Sequence, residues 1–170
     1  VSTRGDVGTA SMREELIKAC FALASRRVGA LVAIERAANL DEYVERATAI
    51  DAVVSHELLT AIFHPTSPLH DGAVVVQKDR IAAAQAFFPL SLSKEISRFF
   101  GTRHRAAIGL TEETDAVAII VSEERGTVSI VENGRITPTA NANELRERIQ
   151  EIFQVTPEPR ESLTPVEEGA

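Results

Sequence analysis

The sequence predicts an α/β fold of the α+β kind: a single domain with a mixed central β-sheet surrounded by helices. Three observations predict it. Short apolar runs rich in β-branched residues are interleaved with stretches whose apolar residues recur at helical spacing. Two pairs of such runs are separated only by tight-turn residues, Lys78-Asp79 and Asn133-Gly134, which forces antiparallel pairing. Helices placed between the other runs allow crossover connections, so the sheet is expected to be mixed and covered by helices.

The elements follow in order. Residues 1–10 are rich in Gly, Thr and Ser and read as a flexible lead-in. "SMRE" at 11–14 is a capping-box pattern, so a helix is expected to start near Ser11. Leu16, Ile17, Cys20, Leu23 and Ala24 continue it on one face. "VGALVAI" (28–34) reads as a buried strand, and "DEYVERA" (41–47) and "SHELLTAIF" (55–63) as helices ended before Pro65 and Pro68. "AVVVQ" and "RIAAAQAF" form the first hairpin, around residues 78–79. "SKEISRFF" (93–100) reads as a helix capped by Ser93, and "AVAIIVS" (116–122) as a buried strand. "TVSIVENGRITP" is the second hairpin, and "NELRERIQEIF" (143–153) an amphipathic closing helix. From Gln154 the chain turns to Pro, Glu, Ser and Thr, the composition of a disordered tail. The expected division is thus a lead-in at 1–10, one catalytic-sized unit at 11–153 and a tail at 154–170.

Composition narrows the function classes. A length of 170 residues with 44% hydrophobic and 25% charged content suits one soluble domain with its own core. No apolar run approaches the roughly 20 residues needed to span a bilayer, and the start lacks a signal-peptide pattern. The single cysteine, Cys20, excludes an internal disulfide and fits an apolar helix face. A net charge of −7 argues against nucleic acid as partner, but a small anion needs only a local basic cluster.

Three clusters can carry chemistry. In "LHDGA" (69–73), His70 and Asp71 offer an imidazole and a carboxylate fit for a divalent metal or proton transfer. Gly72 lets a ligand approach the backbone. The same residues also suit a plain turn into a strand, with Asp71 capping backbone groups. In "GTRHRAAIGL" (101–110), Thr102, Arg103, His104 and Arg105 follow a glycine and open a helix, whose free N–H groups and dipole attract anions. Arginine forks add donors matched to phosphate. The alternative is a solvated helix start whose arginines pair with Glu112 or Glu113. In "SEERG" (122–126), Ser122, Glu123 and Glu124 lie at a strand end, either a polar turn or a third part of a site. His56 and His64 have no partner pattern and read as structural or exposed. A metal ligand set, a phosphate cradle and an extra carboxylate together suggest nucleotide chemistry.

"PLHDGAVVV" and "GTRHRAAIGLTEETDAVAIIVSEE" resemble the two signature blocks of bacterial diadenylate cyclases, whose marks are a DGA and an RHR triplet, here Asp71-Gly72-Ala73 and Arg103-His104-Arg105. The resemblance extends to "RRVGALVAIER" (26–36), "ELLTAIF" (57–63) and "IAAAQAFFPLS" (81–91), and covers roughly residues 11–153. It implies a seven-stranded mixed sheet and the condensation of two ATP to cyclic di-AMP with release of two pyrophosphates. It further implies roles. Asp71 would hold a divalent metal, Mg2+ or Mn2+ with Co2+ a further candidate, and help activate the ribose 3′-hydroxyl. Glu124 would be another ligand and His70 a third. Gly72 and Ala73 would pass close to the nucleotide. Thr102, Arg103, His104, Arg105 and Ser122 would hold phosphate, and Phe87 and Phe88 would line the adenine pocket. Departures from the family pattern, such as Arg125 in place of a small or hydroxyl residue, touch none of these groups.

The chain looks most like the membrane-anchored subtype, cut from its transmembrane helices, so the whole protein would lie on the cytoplasmic face of the bacterial membrane. The resemblance implies an active homodimer, a membrane-tethered regulator and phosphoglucosamine mutase as partners. Two rival functions stand beside it: a metal-dependent nucleotide phosphohydrolase, for which "HD" is a ligand pair, and a non-catalytic adenine-nucleotide sensor.

Overall fold

The computed structural model describes residues 4–94, 96 and 100–154. Along the chain run α1 (Arg4–Ser25), β1 (Ala30–Ile34), α2 (Asp41–Glu45), β2 (Thr48–Val53), α3 (His56–Phe63), β3 (Ala73–Gln77) and β4 (Arg80–Ala86). They are followed by α4 (Thr102–Glu113), β5 (Val117–Val121), β6 (Val128–Glu132), β7 (Arg135–Thr139) and α5 (Ala142–Gln154). The strands form one seven-stranded sheet in the order β2-β4-β3-β1-β5-β6-β7. β1 pairs in parallel with β3, and the other pairings are antiparallel. The expected mixed sheet wrapped by helices is the observed one.

Strand alternation builds two cores. Val32, Ile34, Val74, Val76, Ile119 and Val121 point to one face, where they meet Leu16, Cys20 and Leu23 of α1, Leu59 of α3 and Leu145 and Ile149 of α5. Leu31, Ala33, Ala73, Val75, Ala118 and Ile120 point to the other, against Ala107 and Leu110 of α4 and Tyr43 and Val44 of α2. The central strands are buried on both faces, which is why they read as unbroken apolar runs. Both hairpin turns use left-handed residues, Lys78 (φ 48°) with Asp79 (φ 65°) and Asn133 (φ 50°) with Gly134 (φ 74°), as a two-residue type I′ turn demands.

The pairings place the site. Ala30 of β1 faces Val121 of β5, Val32 of β1 faces Val74 of β3, and Ala73 of β3 faces Ala86 of β4. The starts of β1 and β3 and the ends of β4 and β5 therefore share one end of the sheet. All three sequence clusters reach that end.

Some expectations change. α1 starts at Arg4, ahead of Ser11, so "SMRE" lies within the helix and residues 4–10 are helical. Once Met12 and Leu16 are docked in the core, each further upstream residue only has to propagate an existing helix. β2 was not expected. It is an edge strand exposed along most of its length and broken by an irregularity between Ala49 and Ala52, so no apolar run announces it. The helix expected over 93–100 is not seen at the described residues 93, 94, 96 and 100, and its other positions lie outside the described residues. Of the tail expected at 154–170, Gln154 still belongs to α5 and the rest lies outside the described residues.

Candidate active site

A cleft of about 520 Å3 opens at this end of the sheet. Asp71 and Gly72 line it from the start of β3, and Ala86, Phe87 and Phe88 from the end of β4. Gly101, Thr102, Arg103 and His104 line it from the start of α4, and Ser122, Glu123 and Glu124 from the turn after β5. Segments far apart in the chain thus converge.

Gly72 is required where it stands. Its φ is +77°, and a Cβ there would lie 2.7 Å from the Ala86 carbonyl oxygen of the neighbouring strand. Asp71 beside it has a side chain 72% exposed. His70 Nδ1 lies 2.7 Å from the Ser67 carbonyl, which can only accept, so Nδ1 carries the proton. In the neutral ring Nε2 then presents a lone pair to Asp71 Oδ1, 3.4 Å away. Two acceptors side by side need a proton or a cation between them, and this donor set fits a divalent metal. Glu124 lines the same cleft, yet it does not close a three-ligand set with this pair. Among the described residues the one set of three such ligand atoms within 4.8 Å of one another is Glu15, His56 and Glu57, outside the cleft. Any metal at Asp71 would need further oxygens from elsewhere, as phosphate-bound ions commonly do.

α4 has Gly101 as its N-cap, so no N-cap side chain occupies its first amides, and Gly101 to His104 line the cleft. Its first turn contains no acid. Arg103 Nη2 donates a long bond of 3.5 Å to the His70 carbonyl, while its Nε is buried without a partner. No ion pair joins Arg103 or Arg105 to Glu112 or Glu113 among the described residues. His104 stacks on Phe100 at 4.8 Å. Burial pushes its imidazole below the ordinary histidine range, Glu124 opposes this, and the charges of Arg103 and Arg125 reinforce it. At neutral pH His104 is therefore a neutral donor or acceptor.

Three expected site residues do not line the cleft. Arg105 lies two residues beyond Arg103, about 200° round the helix, so the two side chains leave α4 in different directions. The Arg105 backbone carbonyl instead accepts the Ser91 N–H at 3.1 Å. Ala73 is 1% exposed, with its methyl in the core beneath the site. His70 stands behind Asp71 and reaches the cleft only through its contacts with Asp71 and Arg103. The two phenylalanines also differ. Phe88 is core, packed edge-on to Tyr43 at 5.1 Å, whereas Phe87 is 69% exposed and free to meet a flat ligand.

The family described as DAC, DisA bacterial checkpoint controller nucleotide-binding, matches residues 17–136. The chain belongs to the DAC family. Among its DAC relatives, the cyclic di-AMP synthase CdaA of Bacillus subtilis (strain 168) is 46% identical over 141 residues, 83% of this chain and 52% of that protein. A diadenylate cyclase of Listeria monocytogenes is 40% identical over 84% of this chain and 53% of its own length. The chain spans about half the length of these two relatives. A double cysteine mutant of DacA from Staphylococcus aureus has the same DAC fold, with TM-score 0.82 and 40% identity over 85% of this chain and 97% of that one.

The DAC cleft also contains residues that were not expected from the sequence. Leu31, Leu90 and Val121 form apolar lining, and Glu123 adds a carboxylate beside Glu124. Gly109 in mid-helix makes room for the strap after β4: a Cβ there would lie 1.9 Å from the Pro89 carbonyl oxygen. A glycine inside "AIGL", costly in a helix, was the available signal.

Proposed function

We propose that this chain is the catalytic unit of a diadenylate cyclase, joining two ATP into cyclic di-AMP and releasing two pyrophosphates. The observation that carries it is the meeting of Asp71, the uncapped start of α4 with Arg103, and Ser122 and Glu124 in one cleft. The names of the relatives support the same reaction.

In this reading Arg103, the first amides of α4 and Ser122 bind the triphosphate. The unpartnered Arg103 Nε and the empty hydrogen-bonding capacity of the helix start are donors awaiting an anion. Phe87 lies against the adenine. Asp71, beside His70, would hold a divalent metal, Mg2+, Mn2+ or Co2+, with phosphate oxygens and Glu124 completing the set once a nucleotide is bound; the ion when bound offsets phosphate charge and makes the 3′-hydroxyl more acidic. Asp71 orients that hydroxyl toward the α-phosphorus of the other nucleotide.

One cleft holds one nucleotide, and the product needs two. Two copies facing across a two-fold axis make both bonds equivalent. The initial rate should rise more steeply than linearly with enzyme concentration at high dilution and become linear once dimers saturate. Strict proportionality in samples that sediment as monomers with ATP present rules the two-subunit mechanism out. In the whole protein this unit would sit at the cytoplasmic membrane face; no described helix is long and apolar enough to cross a membrane, so the anchor would lie outside this sequence. One structural neighbour, 40% identical with TM-score 0.72, is described as a hypothetical membrane spanning protein from Bacillus cereus. A membrane-tethered regulator and phosphoglucosamine mutase belong to the same proposal.

The deciding experiment incubates the protein with ATP and Mg2+ or Mn2+ and resolves products by mass. Cyclic di-AMP is expected. ADP or AMP would indicate a phosphohydrolase, and unchanged ATP a sensor.

A further inference from the structure

The turn between α1 and β1 touches the cleft from behind, at two points. α1 ends in a Schellman arrangement, with Arg27 N–H on the Ala24 carbonyl (3.0 Å) and Val28 N–H on the Leu23 carbonyl (2.9 Å). The residue that must then be left-handed is Arg27, with φ 55°. Glycine is the usual occupant of that position, and any other residue there is strained. The Arg27 side chain has a use that glycine could not supply. Its Nη1 donates to the Glu124 carbonyl at 2.6 Å. The same turn after β5 packs on the end of α1, where a Cβ at Gly126 would lie 3.0 Å from the Ala24 carbonyl oxygen.

Two residues later, Gly29 lies under Arg103. A Cβ at Gly29 would stand 2.6 Å from Arg103 Nη1, 3.2 Å from Cζ and 3.5 Å from Glu123 Oε2. Gly29 does not have a left-handed φ, so its backbone accepts alanine. What alanine would displace is the end of a flexible side chain, which can move without unfolding anything. The glycine is thus explained by the guanidinium it admits, not by the turn.

We propose that Arg27 and Gly29 are positioning residues of the cleft: Gly29 sets how deep the Arg103 guanidinium seats, and Arg27 fixes the peptide that carries Glu124. This rests on the reading that Arg103 binds phosphate and Glu124 serves the metal. Neither residue touches the nucleotide in that reading. The α1–β1 turn holds the cationic and acidic sides of the cleft in one register.

The test uses Gly29→Ala, Arg27→Gly and Arg27→Lys in the protein as it stands. Thermal unfolding, ATP affinity by calorimetry, kcat and KM, and the 15N–1H resonance of Arg103 Nε are measured on each. Gly29→Ala should keep its Tm, shift the Arg103 resonance without any nucleotide, and weaken ATP binding about tenfold, the scale of one charge-assisted bond. In an Arg103→Ala background it should have no further effect on affinity. Arg27→Gly should hold or raise Tm, because the left-handed strain is gone, while kcat falls roughly threefold to tenfold, the scale of one hydrogen bond; Arg27→Lys should restore part of kcat and none of the Tm gain. A role confined to capping α1 would move Tm and kcat together. An unshifted Arg103 resonance in Gly29→Ala, or an equal loss of affinity with and without Arg103, overturns the Gly29 assignment. Wild-type kcat in Arg27→Gly overturns the other. If wild-type protein neither binds ATP nor forms product, the function fails, while the resonance still decides whether Gly29 positions Arg103.

Discussion

Two clusters of ionisable groups invite comparison: the cleft at the end of the sheet, and Glu15, His56 and Glu57 where α1 meets α3. Judged by convergence alone, the Glu15 cluster is the stronger candidate, since its three ligand atoms lie within 4.8 Å of one another. Yet its groups satisfy each other. Glu15 Oε2 takes the His56 backbone N–H at 2.8 Å and His56 Nδ1 at 2.5 Å, and His56 Nε2 lies 3.2 Å from Glu57 Oε1. That arrangement ties the start of α3 to α1. The cleft is looser and less complete: an exposed carboxylate, an uncapped helix start and a buried guanidinium nitrogen without a partner. Unmet hydrogen-bonding capacity marks a binding site better than proximity does.

The comparison breaks most sharply at Asp71. Asp71→Asn keeps the shape and removes the charge, so turnover should fall at least about a hundredfold while ATP binding and Tm persist. Near-normal turnover in that variant would leave the cleft without its assigned centre. Next come the arginines. Arg103→Ala should weaken ATP binding roughly tenfold to a hundredfold by calorimetry, with Arg103→Lys a partial rescue because it lacks the planar fork. Arg105→Ala should cost less, since Arg105 does not line the cleft; equal losses would mean that Arg105 swings into the site or acts across a dimer.

The smallest effect belongs to the other cluster. Glu15→Gln should leave turnover unchanged and lower Tm slightly. The His56 backbone N–H, and then its ring, hold the Glu15 carboxyl below its ordinary value of 4.5. A folded-state value below the unfolded one adds stability that is present above about pH 4.5 and lost as pH falls through the folded value. The variant should therefore unfold with a flatter acid limb when Tm is followed from neutral pH downward. A fall in turnover with an unchanged acid limb would mean that this cluster, and not only the cleft, serves the reaction.

Much of this was legible in the chain. Buried strands announce themselves as apolar runs, and the helix read at 55–63 is α3, although Ser55 proves to be its cap: its hydroxyl accepts the Leu58 N–H at 3.1 Å. Asp71-Gly72 stands out because acids and glycines are poor strand residues against an apolar run, and Arg103-His104 because a cation at a helix start opposes the helix dipole. β2 was hidden because an edge strand buries too little to be apolar. The parting of Arg103 from Arg105 follows from helix geometry and needed only the helix start to be placed. Arg27 and Gly29 could not be read, because a left-handed arginine and a space beneath a distant side chain are facts of three dimensions.

The junction of β1, β3, β4 and β5 at one end of the sheet has a consequence for folding. Gly29, Asp71, Ala86 and Glu124 come together only when β1 has found both β3 and β5, pairings that close long loops. No shorter stretch of this chain contains a rudimentary version of the site. A partly folded molecule with one hairpin formed does not bring the phosphate cradle and the metal ligands together. Nucleotide binding to the cleft should therefore appear and vanish with the cooperative transition of the whole sheet, so that loss of ATP binding in denaturant reports global unfolding and not local fraying.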